Sequence, residues 1–562
     1  MRATILLTLL LTTFASAQPP GFEGLWRAKR VFEIEVQGTL TIEREGDAWR
    51  ADIGGRTAAV RADKNRLTFD LGEAGSFRGE LQGERIAGHW TQPYSVSGGY
   101  PFATPVTLTP VTLKNERANR WRGTVTPLPD AMTMFLPITR DADGTLRTFL
   151  RNPERNVGIF VGPARLAVDG NNLQLFGKRR PEAPERMMAG GRYDAESDLL
   201  SLDIPSRGGT YDFERFTPPA STPWSYRKPS LENDGWPVAG AEEVGLDTKV
   251  LAPFLTSLRE PPLSSLYAQD IHALLIARNG KLVVEEYFRG AHREQLHDTR
   301  SAAKSLTAIL AGAAKVPVST KVYAAFDRRE ADPRAQKLTL EHLLTMSSGF
   351  NCDDSDDNSP GHEDRMSEQS EQPDWYRFTL DLGFIREPGE KSVYCSVQPH
   401  LAGGVITRVT GKPLPELFRE TVAEPLQIRH YALNMTPTGD AYMGGGVRVT
   451  ARDFLKFAQL MLDDGKWRGK QILSPEFVRQ SVEPHYPLGS LRYGYLWWII
   501  DLPYKGKTVR AFYAGGNGGQ TSMAIPELDL AIVVFGGNYG DNPRTLGVQR
   551  ELVPKQILPA IP

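Results

Sequence analysis

Two periodicities divide the chain. Between Gly21 and about Phe216, apolar and polar residues alternate in short runs such as Thr39-Leu40-Thr41-Ile42-Glu43 and Leu67-Thr68-Phe69-Asp70-Leu71, with turn signals such as Glu45-Gly46-Asp47 between them. A period of two turns one face of each run to a core and the other to water, which predicts antiparallel strands. Gly24-Leu25-Trp26 and Arg120-Trp121-Arg122-Gly123 each open a series of such runs. The second series includes Leu146-Arg147-Thr148-Phe149 and Leu173-Gln174-Leu175-Phe176, with Asp169-Gly170-Asn171 as a turn. Residues 18–216 are therefore expected to be all-β, with two repeated barrel-like units. Thr217-Pro218-Pro219 through Pro229 reads as a linker over 217–229.

From residue 230 to 562 the pattern becomes mixed, and an α/β domain with an antiparallel sheet is expected. Ile271 to Ala277 and Leu282 to Phe288 flank Arg278-Asn279-Gly280-Lys281, whose Asn-Gly suits a tight hairpin. Thr521 to Ile525 and Leu530 to Phe535 form a second hairpin around Pro526-Glu527-Leu528-Asp529. Helical spacing predicts helices from Ser301 onward, from Leu401 to Val409 and from Arg452 to Leu462. These helices would cover the sheet and leave the site between the two layers.

Composition narrows the class. With 562 residues, 40% of them hydrophobic, and a formal net charge of -1, the chain can bury a full core and shows no bias toward nucleic acid. Arg2, the apolar stretch Ile5 to Leu11 and Ala15-Ser16-Ala17 read as an export signal over residues 1–17, so a periplasmic or secreted protein is expected. No later stretch reaches the roughly 20 apolar residues of a membrane span. The two cysteines, Cys352 and Cys395, are then placed to pair in an oxidising compartment, with two buried thiols as the alternative.

Ser301-Ala302-Ala303-Lys304 carries the chemistry. On a helix, residues three apart share a face at about 5–6 Å between β-carbons, so the Lys304 amine sits beside the Ser301 hydroxyl. At the first turn, Ser301 also lies where free backbone N–H groups stabilise a developing oxyanion. Lysine serves as base only if burial or nearby cations lower its pKa. Ser225-Tyr226-Arg227-Lys228 has the same spacing but lies between Pro223 and Pro229, without helical periodicity.

Two later segments add to this. Tyr394-Cys395-Ser396 follows Pro388-Gly389 and puts on a loop a tyrosine able to relay a proton. Tyr513-Ala514-Gly515-Gly516-Asn517-Gly518-Gly519 lets backbone approach a substrate closely and present a main-chain N–H opposite Ser301. No G-x-S-x-G elbow, Walker A loop or H-E-x-x-H is present. His342 and His400 read as packing residues. Asp353-Asp354-Ser355-Asp356-Asp357 reads as a solvated loop, without the spaced glycine and distal glutamate of a Ca²⁺ loop. No metal or cofactor is called for.

With these segments in this order, the chain from about Pro229 onward resembles the serine β-lactamase and penicillin-binding-protein superfamily, in its class C-like branch with esterases, D-aminopeptidases and aminohexanoate-oligomer hydrolases. Leu343-Leu344-Thr345-Met346-Ser347-Ser348-Gly349, Val409-Thr410-Gly411-Lys412 and Gly444-Gly445-Gly446 support the resemblance. It implies that Ser301 is acylated, that Lys304 and Tyr394 handle protons, and that the backbone N–H groups of Ser301 and Gly516 hold the oxyanion. Ser396, Tyr513, Gly515 and Asn517 would meet the substrate.

Ser396 stands where the family's Y-x-N motif has asparagine, and Tyr513 where its K-T-G motif has lysine. A tyrosine offers no fixed positive charge to a carboxylate. Ester, amide or peptide-like small molecules are therefore the expected substrates. β-Lactamase or D,D-peptidase activity is the alternative, and a ligand-binding protein with a vestigial hydrolase domain is a second one.

Overall fold

The structure, a computed structural model, describes residues 21–92, 106–152, 154–156, 159–178, 183–259 and 269–562. The expected export signal lies outside the described residues. No described helix is long and apolar enough to cross a membrane.

Alternation in the first 216 residues does build two β units, joined in an order the repeat did not predict. Seven strands from Asp130–Arg140 to Gly209–Arg215 are closed into an eight-stranded barrel by Gly24–Phe32. That strand pairs on one side with Asp130–Arg140 and on the other with Gly209–Arg215, both at Trp26. Gly24-Leu25-Trp26 therefore belongs to the second unit and does not open the first. Without it, two open edges would expose unpaired backbone; with it, Trp26 fills the barrel core among Met132, Met134, Leu136 and Phe213. The other unit is inserted between the first and second barrel strands. It is a nine-stranded sheet running from Gly38–Glu45 to Arg120–Val125, curled around Leu40, Ile42, Phe77, Trp90 and Leu113.

The remaining chain forms an eight-stranded antiparallel sheet. Ile271–Arg278, Gln520–Ile525 and Leu530–Gly536 are buried almost throughout, because helices cover both faces of the sheet. Thr248–Arg259 and the C-terminal helical segment around Val553 and Ile557 pack on one face. Ala451–Leu462 and Ala303–Ala313 pack on the other, and Val397–Thr410 packs against Ala303–Ala313. Asn279 and Gly280 both adopt positive φ, the conformation the tight turn demands.

The expected linker is docked onto this domain. Trp224 enters the core beside Leu251 and Val284, and the Tyr226 hydroxyl donates to the Val283 carbonyl at 3.1 Å. Two aromatic side chains supply apolar surface that a proline-rich spacer would otherwise lack.

Both β units grip the C-terminal half. The long strand Thr107–Arg117 of the inserted sheet pairs at Leu108 with Leu433 of Tyr431–Asn434. Tyr431–Asn434 pairs with Val447–Val449, and that strand pairs with His297–Asp298, so one continuous ladder ends beside Ser301. The barrel attaches through charge instead: buried Arg151 lies 3.6 Å from buried Asp270, which also receives Arg289 at 3.2 Å.

Candidate active site

The Ser301 turn is held before its helix begins. Arg300 has φ +52°, the left-handed region that is unfavourable for a side chain as bulky as arginine. Its amide donates to Asp298 Oδ1 at 2.8 Å, and the Thr299 hydroxyl donates to the Val447 carbonyl at 2.8 Å. A tight turn over Arg300–Ala302 then leads into helix Ala303–Ala313. Lys304 Nζ donates to Ser301 Oγ at 2.9 Å and to the Gly444 carbonyl at 2.6 Å, and it lies 5.1 Å from the centre of the Tyr394 ring. These three side chains, separated by up to 93 positions in sequence, meet at one point.

The lysine does not satisfy the condition set by the sequence for a base. Burial acts to lower the Lys304 ammonium, but its charge interactions with Tyr394, Glu363 and Asp354 outweigh that and leave the group above the usual lysine value. Lys304 is thus held as a cation.

Asp354 and Glu363 carry no local signal in the sequence. The acidic run 353–357 reads as a solvated loop, yet Asp354 is turned inward. Its Oδ2 accepts from the amide and hydroxyl of Ser396 at 2.7 and 2.6 Å. Burial, together with the nearby Glu363 charge, pushes its carboxyl up to about 6, against the opposing pull of Lys304 and Ser396. Glu363 accepts from the Tyr442 hydroxyl. Proximity to Tyr394 across forty residues is a tertiary fact, so only the compensating pair Ser396 and Asp354 hints at it in retrospect. The Cys352–Cys395 disulfide spans this segment, with Cα atoms 5.9 Å apart, and fixes Asp354 against the Tyr394 loop.

Three of the expected substrate residues are engaged elsewhere. Ser396 is buried and its hydroxyl is committed to Asp354. Tyr513 is 3% exposed and stacks behind Trp498 at 6.5 Å. Trp498 in turn stacks on Tyr394 at 5.6 Å, so the aromatic beside the candidate acid–base group is Trp498. Its pairing with Tyr513 across the strands made it discoverable from the register. Asn517 uses its side-chain oxygen to accept from the Gly540 amide at 2.8 Å.

Gly515 and Gly516 end strand Lys507–Gly516 against the Ser301 turn. A Cβ on Gly516 would lie 2.2 Å from the Thr299 carbonyl, so only glycine permits this approach. His342 closes the start of a short helix at Thr339, and buried His400 stacks on Tyr376 at 4.5 Å. Among the described residues no group of three or more His, Cys, Asp or Glu side chains is arranged to hold a metal ion.

A sheet between helical layers, with a serine and lysine in contact on the first turn of a helix and a Gly-Gly strand end facing them, defines a nucleophilic hydrolase-type site. The β-lactamase family model matches residues 267–545, and this part of the chain is a β-lactamase-like domain. An uncharacterized protein of Mycobacterium tuberculosis is 26% identical over 178 residues, covering 26% of this chain and 44% of its own. The 6-aminohexanoate-dimer hydrolase of Paenarthrobacter ureafaciens is 26% identical over 232 residues, covering 37% of this chain and 55% of its own. The chain thus spans about half the length of the curated relatives it matches. Among solved structures, a hydrolase with promiscuous acyltransferase activity is 17% identical, with a TM-score of 0.42, covering 56% of this chain and 98% of its own.

Proposed function

We propose that the protein is an exported serine hydrolase that cleaves ester or amide bonds of small molecules through an acyl-Ser301 intermediate. The observation that carries this reading is the 2.9 Å contact of Lys304 Nζ with Ser301 Oγ on a turn faced by Gly516. Because Lys304 is held cationic, it donates and does not accept; the role of proton acceptor then falls to the Tyr394 oxygen, reacting as its phenolate beside the ammonium. Ser301 Oγ passes its proton to Tyr394 and bonds to the carbonyl carbon. The carbonyl π pair moves to its oxygen, which the Ser301 and Gly516 amides stabilise. Collapse expels the leaving group, which takes the proton back from Tyr394. Water repeats the sequence and releases the acid.

Export is supported by the pattern of residues 1–17 and by the bridged cysteines. The 6-aminohexanoate-dimer hydrolase is, by its name, an amide hydrolase, which keeps linear amides beside esters as substrates. The β-lactamase family match favours lactam turnover as a second reading, against which stands the tyrosine at position 513.

The test is covalent labelling with a fluorophosphonate together with burst kinetics on p-nitrophenyl esters. Wild type is expected to label once and show a burst, and Ser301→Ala to do neither. Labelling that survives Ser301→Ala moves the nucleophile elsewhere, and a wild type inert to both probes and to nitrocefin leaves the ligand-binding alternative.

A further inference from the structure

We propose that Asn156, a residue of the N-terminal barrel, is a positioning residue of the acylation site that staples together the two chain segments carrying the oxyanion donors. This rests on the assignment of Ser301 and Gly516 made above. The main-chain carbonyl of Asn156 accepts from the guanidinium of Arg300, the residue immediately before Ser301. Its side-chain amide donates to the carbonyl of Asn517, the residue immediately after Gly516, at 2.8 Å. One residue thus holds a neighbour of each donor.

The surrounding fit is built around it. A Cβ on Gly518 would lie 2.0 Å from Asn156 Oδ1, so the glycine loop closes directly on the asparagine side chain. Asn156 is itself 4% exposed, and its segment is tied to the barrel. Asn152 Oδ1 accepts from the Arg155 amide at 2.7 Å, Asn152 Nδ2 donates to the Thr133 carbonyl, and Arg155 donates to the Ala131 carbonyl at 2.9 Å, tying the segment to barrel strand Asp130–Arg140.

On the other side of the staple, Arg300 lies over the Tyr539 ring at 4.3 Å and keeps a left-handed backbone. Such a conformation persists only where the surroundings over-determine it, and the Asn156 carbonyl is one of the groups that do so. A donor displaced from the oxyanion position by a fraction of an ångström loses transition-state stabilisation while substrate binding is little changed.

The experiment compares wild type, Asn156→Ala and Asn156→Asp by steady-state turnover of a p-nitrophenyl ester, normalised to fluorophosphonate-titrated Ser301. Alanine removes the bond to Asn517 and leaves the main-chain contact with Arg300. Aspartate keeps the shape but turns an oxygen toward the Asn517 carbonyl, and it serves if the alanine variant does not fold. A drop in kcat of about 10-fold to 100-fold per titrated site, with KM within about two-fold, is expected from a misplaced oxyanion donor. Wild-type kcat per titrated site in the folded variants overturns the proposal, as does a rise in KM alone.

Amide hydrogen exchange is measured alongside. Faster exchange is expected at residues 516–519 in the variants, because both lose the side-chain bond to Asn517. If wild type shows no Ser301-dependent labelling, the hydrolase reading falls and exchange decides the staple alone: acceleration at residues 516–519 supports it, and unchanged exchange there overturns it.

Discussion

The two N-terminal β units hold the same catalytic half by different physics. The inserted sheet lends it main chain: Leu108 pairs with Leu433, and the ladder runs through Val447–Val449 to His297–Asp298, with His89 Nε2 bonded to the Tyr431 hydroxyl at 2.8 Å alongside. The barrel lends side chains, placing Arg151 on Asp270 and Asn156 between Arg300 and Asn517. Backbone pairing is tolerant of side-chain identity, whereas a buried ion pair fails abruptly when one partner goes. An alternating β region that looks like a detachable module is therefore two supports of the Ser301 turn, one generic and one specific.

The largest effect expected lies inside the C-terminal half, at the pair that handles the proton. Lys304→Ala and Tyr394→Phe are each expected to lower kcat by about 10²–10⁴. Because Lys304 acts on the proton transfer through Tyr394, the double variant is expected to lose far less than the product of the two; full multiplicativity in ester kinetics refutes their acting as a unit.

Next comes the comparison of the supports themselves. Asp270→Ala leaves Arg151 and Arg289 buried without their carboxylate and is expected to destabilise by about 3–5 kcal/mol. His89→Ala at the sheet attachment removes one buried hydrogen bond and is expected to cost about 1–3 kcal/mol. Urea unfolding of both variants measures the difference, and equal losses erase the distinction between the two attachments.

The disulfide gives the catalytic half a third tie of its own. Closing a 43-residue separation between Cys352 and Cys395 is expected to add about 3–4 kcal/mol. Two titratable thiols in the denatured, unreduced protein would exclude the bridge.

A smaller effect is tied to pH. The Asp354 carboxyl is raised in the fold to about 6, so the native state binds this proton more tightly than the unfolded chain. Stability from this group is present at low pH and declines as pH rises from about 4 through about 6, a change on the order of 1–3 kcal/mol. Asp354→Asn should flatten that part of the profile of melting temperature against pH; an unchanged slope in the variant assigns it to another group.

The smallest effect is expected at Tyr513. Buried behind Trp498, its hydroxyl lies away from the substrate, and Tyr513→Phe should change kcat/KM for a p-nitrophenyl ester by less than about two-fold, the range of a hydroxyl without a substrate contact. Trp498→Ala, which removes the ring stacked on Tyr394, is expected to lower it more. A larger loss at Tyr513 than at Trp498 returns the specificity role to the tyrosine.

What the sequence by itself determined is what local order can encode. Period-two alternation and the Asn279-Gly280 turn specified strands and hairpins, and Ser301 with Lys304 needed only one helical turn to meet. Gly515-Gly516 announced a close backbone approach because glycine alone allows it. Tertiary structure decided everything that depends on which distant segments share space. It gave Gly24–Phe32 to the second β unit, since an open barrel leaves unpaired edges that only a strand from elsewhere can fill. It turned Asp354 from a solvated run into a half-buried neighbour of Lys304 and raised its pKa by desolvation, a property of surroundings and not of residue type. It also placed Asn156 between the residues flanking Ser301 and Gly516, because hydrogen bonds across more than a hundred positions follow from how whole sheets pack and leave no periodic trace in the chain.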